Sequence, residues 1–412
     1  MSSLLRWASR FYPRTRLAPK SFPSHGYQAI PSDYKLEEET LPDYLPERFY
    51  PVRIGEVLNS RYQVVGKLGY GVTSTVWLAR DLDKHNHVAI KVSIRSAALG
   101  NLVHHERNVY QRIDTGPRHH PGRAAIRSLL DVFQLDGPDG QHECLVHPPL
   151  WESVRTFLTR NPIGRLPSPV LAIVLLRVFQ ALDYLHNECK IIHTDIKPDN
   201  IMFGFEEESC LEDFEQAELT NPSPRKEVDG RFIYLSRQVD QPKGVGAPVL
   251  CDFGAAVFGD SVHHDDVQPD RYRCPEVILG VPWHSQIDIW NVGCLVWDLF
   301  EGGRLFSGTD PEVGTYRGRA HLAEMIALLG PPGLELINRG RLKWKFFTGA
   351  GNWKAGIDPY PRTSLEKLET NLEGTDKTMF LDLMVNMLQW APEDRALPQE
   401  LVNDPWIAKE LA

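Results

Sequence analysis

The segment His193-Thr194-Asp195-Ile196-Lys197-Pro198-Asp199-Asn200 constrains this chain more than any other stretch of its sequence. An acid and an amide five residues apart in one tight loop place a proton acceptor beside a metal ligand. Asp195 can orient and deprotonate a hydroxyl group, and Asn200 can hold Mg²⁺. Lys197 lies between them and can neutralise the charge of a phosphoryl group. The segment therefore predicts a catalytic loop with Asp195 and Lys197 as catalytic residues.

A second acidic turn, Asp252-Phe253-Gly254, follows the apolar residues Val249 and Leu250. Asp252 can supply a carboxylate ligand to a metal ion beside Asn200. Either motif alone is compatible with an ordinary polar turn. Their order along the chain, together with two further motifs, favours a phosphate-handling site.

The first of these is the glycine-rich stretch Gly69-Tyr70-Gly71-Val72-Thr73-Ser74-Thr75-Val76, between two predicted strands. Glycines let backbone N–H groups approach phosphates closely. A plain glycine hairpin would look similar, and Ser74 stands where a third glycine would complete the pattern.

The second is a lysine within an apolar strand, Lys91 in Val88-Ala89-Ile90-Lys91-Val92. A buried ammonium group needs a partner, since an unpaired one is costly. Glu106, in the helix predicted next, can supply that partner. The alternative is a surface lysine whose stem lies along apolar groups.

The predicted secondary structure changes from strands to helices along the chain. Strands are predicted over Tyr62–Leu68, Thr75–Ala79, His87–Val92 and Leu145–His147. Helices are predicted over His104–Arg112, Ser168–His186, Asp288–Phe300, His321–Leu329, Lys377–Leu388 and Pro398–Asn403. A small β-rich part followed by a larger helical part is an α+β fold.

We expect three parts: a disordered basic tail and linker over residues 1–45, a β-rich part over 46–147 and a helical part over 148–412. A polar insertion, about 206–241, interrupts the helical part. Its acidic run, between Glu206 and Glu218, could attract a basic substrate. The favoured interpretation is a solvated, mobile surface segment, because charge runs usually are that.

The composition excludes several classes of function. A net charge of −9 argues against a nucleic-acid-binding protein, which needs a basic surface. The six cysteines show no paired spacing and indicate buried, reduced thiols of an intracellular protein. The longest apolar run, Val170–Leu185, is interrupted by Arg177 and falls short of the roughly 18 residues of a membrane span. We therefore expect neither a nucleic-acid nor a membrane partner. A monomer is a separate expectation.

The first 32 residues contain no acid and several arginines. This composition fits a mitochondrial transit peptide. A basic tail is the favoured alternative, since Pro13, Pro19 and Pro23 limit any helix to the first dozen residues. If the segment is a basic tail, we expect the protein to be cytoplasmic, nuclear or both.

The order of these motifs resembles that of eukaryotic protein kinases. Within them the chain resembles the SR-protein kinase family, particularly its fungal members. The stretches that carry the closer resemblance are Tyr50-Pro51-Val52-Arg53-Ile54-Gly55, Ser74-Thr75-Val76-Trp77-Leu78, His193-Thr194-Asp195-Ile196-Lys197-Pro198 and Asp288-Ile289-Trp290. The resemblance extends from about Tyr50 to Ile407. It implies a bilobal fold and an ATP- and Mg²⁺-dependent Ser/Thr kinase with protein substrates, including basic Arg/Ser-rich ones.

The resemblance also assigns roles to individual residues. Lys91 would contact the α- and β-phosphates and pair with Glu106, Asp195 would be the catalytic base, and Asn200 and Asp252 would bind Mg²⁺. The residues that would line the nucleotide site are Leu68, Gly69, Gly71, Val76 and Ala89, with the Pro148 carbonyl and the Leu150 N–H binding adenine. Glu276 would pair with Arg395, and Asp288 would brace the catalytic loop.

The chain departs from the kinase pattern at several positions. Thr194 stands where many kinases have an arginine that receives an activation-loop phosphate, and Ser261 is the only Ser or Thr between Gly254 and Glu276. We therefore expect activity without loop phosphorylation. The stretch 302–321 has lost acids expected of a groove for basic repeats and has gained arginines. Pro269 replaces a threonine usual in Ser/Thr kinases.

Two other classes of protein, pseudokinases and small-molecule kinases, have the same or a related fold. A pseudokinase that binds ATP or partners without turnover would have lost one of Lys91, Asp195, Asn200 or Asp252, and all four are present. A small-molecule kinase would generally lack the peptide platform that Cys274-Pro275-Glu276 and Asp288-Ile289-Trp290 indicate.

Overall fold

The computed structural model describes residues 15–102 and 104–412. The strands are β1 (Val57–Leu58), β2 (Tyr62–Gly71), β3 (Ser74–Asp81), β4 (Asn86–Ser93), β5 (Asp131–Gly137), β6 (Gly140–His147), β7 (Ile191–Ile192), β8 (Ile201–Phe205), β9 (Arg225–Val228), β10 (Arg231–Tyr234), β11 (Val245–Leu250) and β12 (Val257–Phe258). The α-helices are α1 (Ser96–Leu99), α2 (His105–Thr115), α3 (Val154–Arg160), α4 (Ser168–Asp183), α5 (Ser209–Thr220), α6 (Pro275–Leu279), α7 (Gln286–Glu301), α8 (Gly318–Leu329), α9 (Leu334–Arg339), α10 (Leu365–Leu368), α11 (Gly374–Met387), α12 (Pro398–Leu401) and α13 (Pro405–Glu410).

The contacts divide the chain into two compact units. Unit 1 contains the described residues up to Arg107 together with Ser128–Trp151 and Gly204–Gly246. Unit 2 contains Asn108–Arg127, Glu152–Phe203 and Ala247–Ala412. Unit 1 holds most of the strands and unit 2 most of the helices, so the predicted α+β fold class is confirmed.

Unit 1 is built on a six-stranded sheet with the strand order β1-β2-β3-β4-β6-β5. Val76 pairs with Lys91 and Leu78 with Ala89 across β3 and β4. Because successive side chains of a strand alternate between faces, Val76, Ala89 and Lys91 share one face of the sheet. Trp77 and its partner Ile90 lie on the opposite face.

The face that carries Trp77 is covered by segments distant in sequence. It forms the apolar core of unit 1, together with Val52, Leu58 and Tyr234. The rings of Trp77 and Tyr234 meet edge to face, with centroids 5.6 Å apart. The opposite face of these strands, with Lys91, belongs to the candidate site.

The described part of the N-terminal segment, for which the sequence predicted a disordered tail and linker, packs within unit 1. The N–H group of Leu17 donates to the Leu82 carbonyl at 2.8 Å. The N–H group of Lys20 donates to Gln63 at 2.9 Å. The transit-peptide hypothesis depends largely on residues 1–14, which lie outside the described residues.

The insertion folds as α5 and the β9–β10 hairpin, and it groups with unit 1 rather than with the helical part. Phe214 of α5 packs so closely on β2 that a Cβ added at Gly66 would lie 2.7 Å from its ring. Glu215 and Glu218 are only 4% and 1% exposed. The interpretation of the acidic run as a solvated surface is therefore wrong for these two residues.

Each of these buried glutamates has a partner within unit 1. Glu215 pairs with Lys20 and with His87, whose Nε2 lies 2.8 Å away. Glu218 accepts hydrogen bonds from Arg237 and from Ser223. Glu215 thus ties the insertion to β4 through His87, whereas the charge of Glu218 is compensated within the insertion itself.

Unit 2 is built around α4, whose apolar residues include the fully buried Leu171, Val174 and Leu175. The helix continues as a π-helical turn over Tyr184–Cys189. The whole run is long and apolar enough to cross a membrane by composition alone, but more than half of it is buried inside the fold. It is therefore the core helix of unit 2.

Candidate active site

The glycine-rich turn joins β2 to β3 in unit 1. Gly69 pairs with Val76 and Gly71 with Ser74, so the turn itself consists of Val72 and Thr73. A Cβ added at Gly69 would meet no atom within 4 Å. The space beside this backbone is thus open to a ligand, and the open backbone suits phosphate groups.

Lys91 of β4 and Glu106 of α2 form the ion pair predicted from the sequence. The Lys91 Nζ lies 2.7 Å from the Glu106 carboxylate, and the two side chains are 17% and 14% exposed. The alternative of an extended surface lysine is excluded by this burial. The pair fixes an ammonium group on the sheet face that also carries Val76 and Ala89.

The strand β6 ends at His147, and Pro148 and Leu150 follow it as partly exposed residues outside regular structure. Ala89 pairs with His147 in the sheet. The His147 ring is buried, and its Nδ1 lies 2.9 Å from the Ser128 carbonyl. Since a carbonyl can only accept, Nδ1 carries the proton, and the histidine ties β6 to the segment that precedes β5.

The catalytic-loop motif lies in unit 2, where its polar side chains converge on Asp195. The Lys197 Nζ is 2.6 Å from the Asp195 carboxylate. Asn200 donates from Nδ2 to the Asp195 carboxylate at 3.0 Å and to the Asp195 carbonyl at 2.8 Å. With its amide nitrogen committed to Asp195, Asn200 presents its oxygen as the atom for a cation.

Helix α7 supports the catalytic loop through hydrogen bonds. The fully buried Asp288 accepts from the N–H groups of His193 and Thr194 at 2.8 and 2.9 Å. It also accepts from His186 Nε2 at 2.9 Å. One turn further along α7, Asn291 donates to the Ile196 carbonyl at 2.8 Å. Asp288 was predicted in this role, whereas His186 and Asn291 were missed because the sequence marks neither.

Asp252 is placed by its neighbours on either side. The N–H of Cys251 donates to the Asn200 carbonyl at 2.8 Å. Phe253 is fully buried, with its ring centroid 5.2 Å from that of His193. Between them Asp252 adopts a left-handed backbone, φ 62°, and its side chain is exposed. The hydrogen bond of Cys251 therefore joins the segment that carries Asp252 to the backbone of Asn200.

This donor set fits the metal and nucleotide that the motifs imply. Asp252 and Asn200 offer oxygen atoms, which Mg²⁺ prefers, and Mg²⁺ commonly takes one or two protein ligands with phosphates and water completing the shell. In unit 1, the open backbone at Gly69 and the Lys91 ammonium suit phosphate oxygens.

Side-chain hydrogen bonds fasten the activation segment, which comprises the residues between Gly254 and Glu276. The Thr194 hydroxyl donates to the Ala255 carbonyl at 2.8 Å. Gln268, also left-handed at φ 73°, donates to the Ile287 carbonyl at 2.7 Å and accepts from the Cys274 N–H at 2.9 Å. Gln268 thus joins the segment to α7 beside Pro269, and it was missed in the sequence because a lone glutamine carries no signal.

The end of the segment is anchored by the predicted pair of Glu276 and Arg395. The two Arg395 Nη atoms lie 2.5 and 2.8 Å from the two carboxylate oxygens. Both side chains are fully buried. Arg395 also donates to the carbonyls of Gln286 and Gln389, each at 3.0 Å.

The acidic side chains that remain in the stretch 302–321 already form ion pairs. Asp310 is buried, and its Oδ1 lies 3.0 Å from Arg319 Nη2. Nearby His321 is also buried, and its Nδ1 lies 3.2 Å from the Tyr316 hydroxyl. Burial lowers the pKa of His321 to about 3. The described residues of this stretch thus lack a row of exposed, unpaired acids.

The two-unit fold and these motifs define an enzyme of the protein kinase class. The chain matches the protein kinase domain family over residues 62–249 and 239–407. It is 40% identical to a serine/threonine protein kinase of Aspergillus fumigatus, over 97% of this chain and 98% of that protein. It is 32% identical to the serine/threonine-protein kinase SRPK of Physarum polycephalum, over 91% of this chain and 92% of that protein.

A crystal structure of a kinase domain has the same fold, with a TM-score of 0.67 at 23% identity over 87% of this chain and 99% of that one. The chain belongs to the protein kinase family, among the serine/threonine kinases that include SR-protein kinases.

Proposed function

We propose that this kinase transfers the γ-phosphoryl group of ATP to serine or threonine hydroxyls of protein substrates, with Asp195 as the catalytic base. The observation that carries the proposal is the arrangement of Lys197 and Asn200 on the Asp195 carboxylate. A carboxylate held in this way can orient an acceptor hydroxyl without moving during the reaction.

The bond changes follow from these assignments. The acceptor oxygen attacks the γ-phosphorus, the bond from that phosphorus to the β–γ bridging oxygen breaks, and ADP leaves. Asp195 takes the hydroxyl proton, and Lys197 offsets the charge on the transferred group. Bound Mg²⁺ would neutralise phosphate charge, with Asn200 and Asp252 as its protein ligands.

The nucleotide half of the chemistry is assigned to unit 1. Lys91, oriented by Glu106, would bind the α- and β-phosphates. The backbone at Gly69 and Gly71 would cover them, with Leu68, Val76 and Ala89 against the base and the Pro148 carbonyl and Leu150 N–H as its hydrogen-bonding groups. The placement of Val76, Ala89 and Lys91 on one sheet face supports this assignment.

Arg/Ser-rich proteins are the substrates that the SR-kinase relatives suggest. Because Asp310 of the stretch 302–321 is buried and paired with Arg319, its carboxylate is not available to bind long basic repeats. We therefore propose short Arg/Ser-containing sites as acceptors. We also propose a cytoplasmic or nuclear location, which imaging of the tagged full-length chain would test.

The test is transfer of labelled phosphate from Mg²⁺·ATP to a degenerate array of Ser/Thr peptides. Asp195→Ala should abolish transfer and leave ATP binding intact. Asp199→Asn is the matched control, since Asp199 is an exposed acid of the same loop whose carboxylate lies 3.5 Å from Arg155. Transfer by Asp195→Ala at the wild-type rate would contradict the assignment of the base, and ATP binding by wild type without transfer would favour a pseudokinase.

A further inference from the structure

Lys67 is a fully buried lysine of β2, two residues before the glycine-rich stretch that begins at Gly69. It pairs with Trp77 in the sheet, and the β2–β3 register shifts between Lys67 and Gly69. Since Trp77 lies on the covered face, Lys67 points away from the face that carries Lys91. Its side chain therefore lies on the side of the sheet opposite the proposed nucleotide residues.

The partners of Lys67 come from two segments far away in sequence. Its Nζ lies 2.8 Å from Glu37 and also contacts Glu38. It donates in addition to the Tyr234 carbonyl at 3.1 Å. Both glutamates belong to one 3-10 turn of the N-terminal segment, Glu37–Thr40.

The 3-10 turn Glu37–Thr40 also binds the insertion. Glu37 accepts from the N–H and the hydroxyl of Ser236 at 2.6 and 2.7 Å. Glu39 pairs with Lys226 of β9 at 2.7 Å. The N–H of Arg237 donates in turn to the Lys67 carbonyl at 2.9 Å. Lys67 is thus held at both its side chain and its backbone.

A buried ammonium group requires close anionic partners, because desolvation without them costs several kcal/mol. The position of Lys67 consequently depends on Glu37 and Glu38, and the position of the next two residues, Leu68 and Gly69, depends on Lys67. The ammonium also lies 5.4 Å from the centroid of the ring of Tyr70, which belongs to the glycine-rich stretch.

We propose that Lys67, clamped by Glu37 and Glu38, is a positioning residue that sets the glycine-rich turn for ATP. This proposal rests on the proposed function, because it assumes that the turn covers the phosphates. The N-terminal segment is then part of the nucleotide-binding apparatus of this kinase, although it touches the opposite face of the sheet.

The experiment compares Lys67→Met and Glu38→Gln with the wild-type full-length chain. For each, KM for ATP and kcat are measured with Mg²⁺ and a peptide that the wild type phosphorylates, well below the unfolding temperature. We expect KM for ATP to rise about tenfold in Lys67→Met, with kcat within about twofold, because a displaced turn weakens phosphate positioning. Lys67→Arg should restore most of the affinity.

Lys35→Met is the matched control, since Lys35 is an exposed lysine of the same N-terminal segment. It should leave KM unchanged. The proposal is overturned if folded Lys67→Met keeps the wild-type KM for ATP, or if Lys35→Met changes it equally. If Lys67→Met does not fold, the KM for ATP of Glu38→Gln tests the proposal instead. This variant removes one of the two carboxylates and leaves Glu37 paired with Lys67.

Binding of Mg²⁺·ATP, measured by calorimetry, separates this proposal from the proposed function. Weaker binding by Lys67→Met supports the positioning role even if phosphate transfer proves undetectable. A wild-type chain that binds no Mg²⁺·ATP overturns both.

Discussion

Replacing Arg395 by Met should destabilise the kinase far more than the loss of one surface charge. The substitution leaves the Glu276 carboxylate fully buried without its bidentate partner. Removing one member of a buried pair costs about 3–5 kcal/mol. Unfolding entropy of about 2.1 cal/mol/K per residue converts 4 kcal/mol into a fall in Tm of about 5 °C for cooperative unfolding of the whole chain. If unit 2 unfolds alone, the fall is larger.

The matched control is Arg339→Met. Arg339 also pairs with a glutamate, Glu393, at 2.6 Å, but the two side chains are 37% and 54% exposed. Such surface pairs contribute about 0–1 kcal/mol, so Tm should fall by about 1 °C or less. Calorimetry or fluorescence-monitored unfolding of both variants gives the comparison. Equal, small shifts for Arg395→Met and Arg339→Met would refute the argument from burial.

Three further predictions follow from other parts of the structure. The folded pKa of His321, about 3, lies below its unfolded value, so the unfolded chain alone gains this proton as the pH falls below about 6.5. This proton uptake lowers the free energy of unfolding by about 2 kcal/mol at pH 5. The loss should be absent in His321→Gln and present in the control His284→Gln, which denaturation at several pH values would show. Ser261→Ala, or phosphatase treatment, should leave kcat unchanged, because the Thr194 hydroxyl already fastens the activation segment; a fall of more than twofold would contradict this. Deletion to residue 24 should lower the free energy of unfolding by about 3 kcal/mol more than deletion to residue 14, because it also removes the contacts of Leu17 and Lys20; equal Tm values for the two deletions would disprove it.

Much of the fold and the site could be predicted because the signals are local. The strands around Lys91 and the helix that carries Glu106 show clear patterning within short windows. The pairing of Lys91 with Glu106 follows from the cost of burying an ammonium group.

The insertion was harder to predict because its fold depends on distant partners. Phe214 of α5 is surrounded in sequence by acids, and only contact with β2 at Gly66 reveals its packing role. The burial of Lys67 was likewise hidden, since its carboxylate partners lie some thirty residues earlier. Local periodicity carries no information about such pairings.

The covered face of the unit 1 sheet has a consequence for biosynthesis. The strands β2 to β6 leave the ribosome well before Tyr234, which completes the core beside Trp77. At about 5–20 residues per second, the 87 residues from the end of β6 at His147 to Tyr234 take roughly 4–17 s to synthesise. During that interval the nascent sheet exposes an apolar surface to solvent or to chaperones. The timing of translation between His147 and Tyr234 is therefore expected to influence the yield of folded kinase.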